Sequence, residues 1–377
     1  MPITPTDKIW MDGELVDWAD ATVHVLTHTM HYGSGVFEGI RAYPTARGVA
    51  VFRLADHIRR LFASAKVFMI DVPYTVDEII EATRQVVRVN GMSDGCYLRP
   101  LVYLGYGEMG LNPLACPTNV SIAAWPWGTY LGDEGVANGV SVKVSSWRRH
   151  DPNAVPTAAK GTGMYVNSSL AKVEAIKGGY DEAILLAPNG TVSECTGENI
   201  FVVRDGAIVT PPTSDSGALA GITQDSIETI ARDLGIEVRH EPIIRTDLYL
   251  ADEAFLTGTA AEVVPIRAVD DRSVGAGRPG PITLEVQRTY FATVRGEVRQ
   301  QLKEVGFTNV DDLAKKVADI LARSSAAGRR ATHRPAKKAK KTGSKSSPSK
   351  TTAKKTAARK PAKTAGAKKA GAKKAGA

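Results

Sequence analysis

The sequence predicts a mixed α/β protein of two domains, followed by a tail of different material. Three observations carry this. Stretches with period-two and with three-and-four-residue apolar spacing alternate up to about residue 300, as helices packed on sheets require. Asn189-Gly190 and Asp205-Gly206 each stand between β-rich runs, a strong hairpin signal. Charge is also unevenly spread. Of 48 Lys+Arg, 19 lie from Arg323 to Ala377, where there is no Asp or Glu, so 29 basic residues face all 40 acidic ones in the rest, a net of −11.

In chain order, "ATVHVLTHTM" alternates like a strand, and "VAVFRLADHIRRLFASAKVF" passes from strand into a helix with Ile58, Leu61, Phe62 and Ala65 on one face. "TVDEIIEATRQVVRVNG" is an amphipathic helix with a Thr start and a Gly stop. "CYLRPLVYLGYG" and "NVSIAAWPWG" read as strands. "TYLGDEGVANG", with three glycines and no apolar periodicity, is the expected interdomain linker. The expected boundaries are a small domain over 1–131, a linker over 132–140 and a large domain over 141–307.

The second domain opens on the strand "VSVKVSSW", followed by a helix over roughly 164 to 177. A meander comes next: "EAILLAP", "TVSECT", "NIFVVR" and "AIVTPP". "ITQDSIETIARDLG" is a helix, "IEVRHEPI" and "EAFLTGTA" are strands, and "GPITLEVQRTYFATVRGEVRQQL" closes with a helix. A further amphipathic stretch is expected over 308–324. From 325 to 377 the chain has no aromatic or large aliphatic residue, so burial cannot offset the entropy of ordering it, and disorder is expected.

The 377 residues and 43% hydrophobic content suit a soluble enzyme. Three cysteines without a CxxC pair suggest a reducing, cytoplasmic setting rather than a disulfide scaffold. The opening "MPITPTDKIWMDGELVDW" does not have the pattern of a secretory leader, and no apolar run approaches the ~20 residues of a membrane helix.

The chemistry centres on "PTAAKGTGMYVNSSLAK", which sets Lys160 among small and apolar residues. A lysine that forms an imine must lose its proton, and such a setting favours that. The competing reading is an ordinary surface loop. "SECTGENIF" supplies Glu194 and Glu198, either of which suits a protonated ring nitrogen or, more blandly, an exposed strand end. "GALAGITQDSIETI" leads into a helix start at Ile222-Thr223, where free N–H groups favour a phosphate.

Together these stretches, with "MHYGSGVFEGIRAY", "YLRPLVYLGYGEMGLNP", "AAWPWGTYLG" and "YLADEAFLTGTAAEVVPI", make the chain resemble the class IV (fold-type IV) pyridoxal phosphate aminotransferases, and most closely the branched-chain amino acid aminotransferases. The resemblance covers about residues 7 to 305. It implies a small N-terminal α/β domain and a larger pseudo-barrel domain. It also implies a homodimer or higher homo-oligomer with a shared active site, and ping-pong transfer of an amino group from leucine, isoleucine or valine to 2-oxoglutarate.

Site roles follow from the matched positions. Lys160 is implied as the lysine bonded to pyridoxal 5'-phosphate and as the proton shuttle at the substrate α-carbon. Glu194 is implied as partner of the pyridine nitrogen, and Tyr165 of the ring oxygen. Arg60 matches the phosphate arginine, with Arg59 as the one-residue alternative. Ile222, Thr223 and Thr259 match further phosphate contacts, and Leu219 packs on the ring. For the substrate, Tyr97 and Arg99 share a strand face and match the pair that handles carboxylates. Tyr32, Phe37, Trp127 and Tyr130 match aromatic walls, Gly39 lies among the same substrate-binding positions, and Leu111 would come from the neighbouring subunit. Thr259 and Ala260 match the residues whose amides take the α-carboxylate.

One departure stands out: Leu219-Ala220-Gly221-Ile222-Thr223-Gln224 replaces the usual Leu-Pro-Gly-Ile-Thr-Arg, losing a proline and a positive charge near the phosphate. "GYGEMG" at Gly105 to Gly110 fits a dinucleotide fingerprint, but "LNPLACP" follows where a helix is needed. His24, His28 and His31 have metal-like spacing, yet strand-like alternation would separate their faces, so no metal is expected. The rivals are a D-amino acid aminotransferase or an aminodeoxychorismate lyase of the same fold, and a DNA-associated protein with a vestigial enzyme body. The tail resembles those of linker histones and nucleoid proteins, so contact with nucleic acid, nucleoid or chromatin competes with a plain solvated appendage.

Overall fold

A computed structural model describes residues 3–297. The stretch expected to be helical over 308–324 and the tail from 325 lie outside the described residues.

The first half forms a seven-stranded antiparallel sheet. Its strands are β1 (Lys8–Met11), β2 (Glu14–Asp17), β3 (Gly35–Phe37), β4 (Ile40–Thr45), β5 (Gly48–Val51), β6 (Cys96–Leu104) and β7 (Thr118–Trp125). They run in the order β2-β1-β7-β6-β4-β5, with β3 also on β6. Short α1 (His28–Tyr32) lies beside β6, while α2 (Leu54–Val67) and α3 (Val76–Val89) cover the sheet. Ile58, Leu61 and Ala65 of α2 meet Ile79, Ala82 and Val86 of α3 and Leu98 and Ile122 of the sheet in one buried cluster. Phe62, on the expected face, is only partly buried against it. At the start of α3, Thr75 and Glu78 cap each other reciprocally, satisfying two otherwise orphaned N–H groups.

Helix α4 (Gly132–Asn138) leads into a nine-stranded mixed sheet. It is built from β8 (Val140–Arg148), β9 (Glu182–Leu186), β10 (Val192–Cys195), β11 (Asn199–Arg204), β12 (Ala207–Thr210), β13 (Val238–His240), β14 (Glu253–Gly258), β15 (Glu262–Val269) and β16 (Arg272–Ser273). The order is β10-β9-β8-β15-β14-β11-β12-β13, with β16 on β15. Strand β8 runs parallel to β9 and β15, and β12 parallel to β13. The helices are α5 (Tyr165–Lys177), α6 (Thr213–Ser216), α7 (Ile222–Asp233), α8 (Arg245–Leu250) and α9 (Pro281–Val294). The Asp205-Gly206 turn forms as expected: both residues have positive φ, 51° and 79°, and Arg204 pairs with Ala207 across it.

Two expectations are corrected. "ATVHVLTHTM" is not a strand. Val23 and Val25 are exposed, the Leu26 N–H donates to His24 Nδ1, and α1 begins at His28. Alternation without a neighbouring strand to pair with does not make a ladder. The reason given for separating the three histidines therefore falls. His28 bonds to Ser34 and the Gly110 carbonyl, and His31 to the Val25 carbonyl. Among the described residues no group of three or more His, Cys, Asp or Glu could hold a metal. The stretch expected as a linker contains α4, whose first-turn Asp133 and Glu134 suit a helix N-terminus. Gly132 and Gly139 bracket it with φ of 76° and 83°.

The three cysteines are unpaired, Cys96 and Cys195 being buried. No described helix is long and apolar enough to cross a membrane.

Candidate active site

The segment carrying Lys160 is held by backbone pairing to the first sheet. The Lys160 carbonyl accepts from Phe37 N (3.1 Å), Thr162 N donates to the Gly35 carbonyl (2.8 Å), and Lys160 N donates to Ser64 Oγ (3.0 Å). Its small neighbours have a steric reason. A Cβ on Gly161 would stand 2.6 Å from the Phe68 ring, and one on Gly33 would stand 2.5 Å from Gly163 Cα. So placed, Lys160 Nζ donates to Tyr165 Oη at 2.6 Å and lies 5.0 Å from the Phe37 ring centroid.

This amine opens on a cavity of about 490 Å³. Most sequence-predicted residues converge there: Phe37, Gly39, Arg60, Tyr97, Arg99, Trp127 and Tyr130 line it. So do Lys160, Tyr165, Leu219, Ile222, Thr223, Thr259 and Ala260. Gly39 leaves room for Tyr97, whose Oη would stand 1.9 Å from an added Cβ. Arg99 lies over the Phe37 ring at 4.6 Å, and Tyr97 packs with Trp125 and Trp127. Arg59 is turned outward to Asp56, whereas Arg60 lines the cavity.

Three predicted residues do not line the main cavity. Glu194 borders a smaller one of about 30 Å³ that shares Lys160, Tyr165, Glu198 and Leu219. Its Oε1 is 2.7 Å from Arg149 Nε, a charge contact rather than an aligned hydrogen bond, and its Oε2 accepts from Leu219 N at 2.9 Å. Tyr32 and Leu111 are exposed, Leu111 at 88%.

The turn before α7 is braced residue by residue. Asn199 Nδ2 donates to the Leu219 carbonyl (2.8 Å), Arg60 Nη1 to that of Ala220 (2.7 Å), and Arg53 Nη1 to that of Ile222 (3.1 Å). Gln224 is buried, and its Oε1 accepts from Gly221 N at 3.3 Å. It therefore caps the helix start from inside, and the turn that lacks a proline is held by side chains instead. The N–H groups of Ile222 and Thr223 open the helix, where no intrahelical acceptor exists.

Glu38 and Arg41 escape a reading of the sequence, and for Glu198, which the sequence does offer beside Glu194, only the surroundings are new. Glu38 is fully buried and grips Arg60, with Oε1 accepting from Nε (2.6 Å) and Oε2 from Nη2 (2.8 Å), while His57 Nδ1 lies 2.8 Å from Oε2. Burial would raise its carboxyl, but the charge and hydrogen bonds of Arg60, with His57, hold it down at about 2. Arg41 pairs with Glu262 at 2.8 Å and donates to the carbonyls of Trp127, Gly128 and Ala260, tying the aromatic wall to the Thr259–Ala260 turn. Glu198 lines both cavities. Burial first, then the charge of Glu182, pushes it up to about 8 against the pull of Lys172 and the Gly197 N–H. "FEGIRAY" and "SECTGENIF" carry these residues, but only tertiary contact reveals their partners.

The family described as "Amino-transferase class IV" matches residues 35–269. The chain is similar to the branched-chain-amino-acid aminotransferase of Pseudomonas aeruginosa, with 52% identity over 77% of this chain and 93% of that protein. Its structure is similar to the crystal structure of the Escherichia coli branched-chain amino acid aminotransferase, at 49% identity and a TM-score of 0.76 over 78% of this chain and 96% of the other. It is also similar to the T.th. enzyme of that name with pyridoxamine 5'-phosphate, at 46% identity and a TM-score of 0.76 over 82% and 100%.

Proposed function

The chain belongs to the class IV aminotransferases, and on that premise we propose that it is a pyridoxal 5'-phosphate-dependent branched-chain amino acid transaminase. It moves the amino group of leucine, isoleucine or valine to 2-oxoglutarate, leaving a 2-oxo acid and glutamate. The observation that carries this reading is the Lys160 amine, 2.6 Å from Tyr165 Oη in a cavity that also holds an arginine and a helix start.

The residues present fit the coenzyme. Lys160 offers the amine for its aldehyde, Tyr165 a phenol, and Glu194 an acid in the adjoining cavity. Arg60, Ile222, Thr223 and Thr259 offer donors for its phosphate. When bound, the coenzyme supplies a carbonyl that captures amines and a ring that takes up electrons from the α-carbon. The protein's own part is to bind, orient and move protons. Lys160 carries the proton at the α-carbon, Tyr165 orients the lysine, and Glu194 pairs with the ring nitrogen. Phe37, Trp127 and Tyr130 give apolar walls for a branched side chain, and Arg99 meets the distal carboxylate of glutamate.

Isoleucine without acceptor should shift the coenzyme absorption band, and Lys160→Ala should abolish turnover. D-alanine outpacing L-leucine would instead favour a D-amino acid aminotransferase.

A second copy of the chain completes the site in this reading. Tyr32 and Leu111 are exposed, as are Val25, Met30, Tyr106, Met109 and Leu114 from the same two stretches of chain, apolar groups that a partner subunit would cover. Leu111→Glu should shift light scattering towards monomer; an unchanged mass would contradict the shared site. The three free cysteines support a reducing, cytoplasmic setting. The 19 basic residues from Arg323 onward support non-specific contact with nucleic acid or nucleoid. Gel shifts should weaken with salt and disappear when the chain stops near Ser324.

A further inference from the structure

We propose that Glu38 is a positioning residue for the coenzyme phosphate, acting through Arg60. The proposal rests on the coenzyme reading above. Glu38 follows β3, where its N–H donates to the Pro100 carbonyl at 2.9 Å, which fixes its backbone against β6. Helix α2 brings His57 and Arg60 to it at three-residue spacing, on one helical face.

The arginine has five N–H donors. Glu38 takes one from Nε and one from Nη2, and the Ala220 carbonyl takes one from Nη1. Two remain, one on each terminal nitrogen of a side chain that lines the cavity, and together they suit two oxygens of a tetrahedral anion. Glu38 thus determines which edge of the guanidinium is used internally and which is left for a ligand.

His57 completes the clamp. A carboxylate only accepts, so the 2.8 Å contact requires the proton on His57 Nδ1. Burial, with the charges of Arg60 and Lys160, lowers the ring's affinity for a second proton despite the pull of Glu38. The trio is therefore an ion pair braced by one further N–H donor. Sequence reasoning could not reach this, since Glu38 and Arg60 are 22 positions apart.

The test compares binding of pyridoxal 5'-phosphate and of pyridoxal, which lacks the phosphate, to the apoprotein by fluorescence titration. Glu38→Gln should weaken the phosphorylated form by about 10- to 100-fold, by analogy with the loss of residues that support metal ligands, and leave pyridoxal nearly unchanged. Combined with Arg60→Gln, it should add no further loss, because its effect runs through that arginine. Should Glu38→Gln not fold, Glu38→Asp, which keeps the charge but is too short to span both nitrogens, must show the same selective loss. Equal weakening of both forms, additive loss in the double variant, or no weakening overturns the proposal. A wild-type apoprotein that binds neither form overturns the coenzyme reading itself, and this proposal with it.

Discussion

Glu38 and Glu198 are buried carboxyls beside the same cavity, supplied by different sheets, and their surroundings shift them in opposite directions. Burial raises both. Glu38 accepts from two arginine nitrogens and a histidine, and is held at about 2. Glu198 accepts only from the Gly197 N–H among the described residues. The nearby cation, Lys172, is engaged by Glu182 at 2.6 Å, which also accepts from Thr196 Oγ1 at 2.6 Å. Glu198 is pushed up to about 8, towards its protonated form. The number of donors already committed, rather than depth, decides which buried acid is charged.

The largest change should come from removing the cation of the satisfied cluster. Arg60→Met strands a buried carboxylate and should cost about 3–5 kcal/mol in urea unfolding at pH 7. Glu38 has a depressed folded value, so its stabilisation is complete above its ordinary 4.5 and lost as pH falls towards about 2. In the variant, burial raises the stranded carboxyl, so the gap between wild type and variant should narrow as pH falls and be smallest near 2; a gap independent of pH would mean that the pair is not its cause.

Glu198 has the opposite sign. With its folded value raised, it stabilises most below its ordinary 4.5 and loses this as pH rises to about 8. Relative to Glu198→Gln, the wild-type apoprotein should lose up to about 1.4 kcal/mol per pH unit across that window. Melting curves that run parallel at all pH values would remove Glu198 as a titrating group.

The smallest effect belongs to a charge outside either cluster. Glu81 faces Arg84 and Arg88 on the exposed side of α3. Glu81→Gln should leave the melting temperature within error, since solvent screens such pairs. A clear drop would show that pairing matters at the surface as it does in the interior.

Local chemistry makes much of the fold legible. Thr75 with Glu78, Asp205-Gly206 and the three-and-four spacing of α2 act within a few residues, and each forms where the sequence predicts. Where the outcome depends on a distant neighbour, sequence misleads. Val23 and Val25 alternate but find no strand to pair with, and β15 hides behind Pro265 inside its apolar run. The site divides in the same way. Lys160 and Ile222-Thr223 announce themselves through small residues and a helix start. Arg60, Tyr97 and Arg99 come from family resemblance. Glu38, Arg41 and His57 have no local signature, because their partners arrive only when α2 packs on the first sheet or, for Arg41, when Glu262 of the second sheet reaches it.

Chemical trapping decides whether Lys160 carries the coenzyme. Purified protein loaded with pyridoxal 5'-phosphate is reduced with borohydride, digested and mapped by mass spectrometry. A stable coenzyme adduct is expected on the peptide containing Lys160. An adduct confined to another lysine, or none at all despite saturating coenzyme, would contradict it.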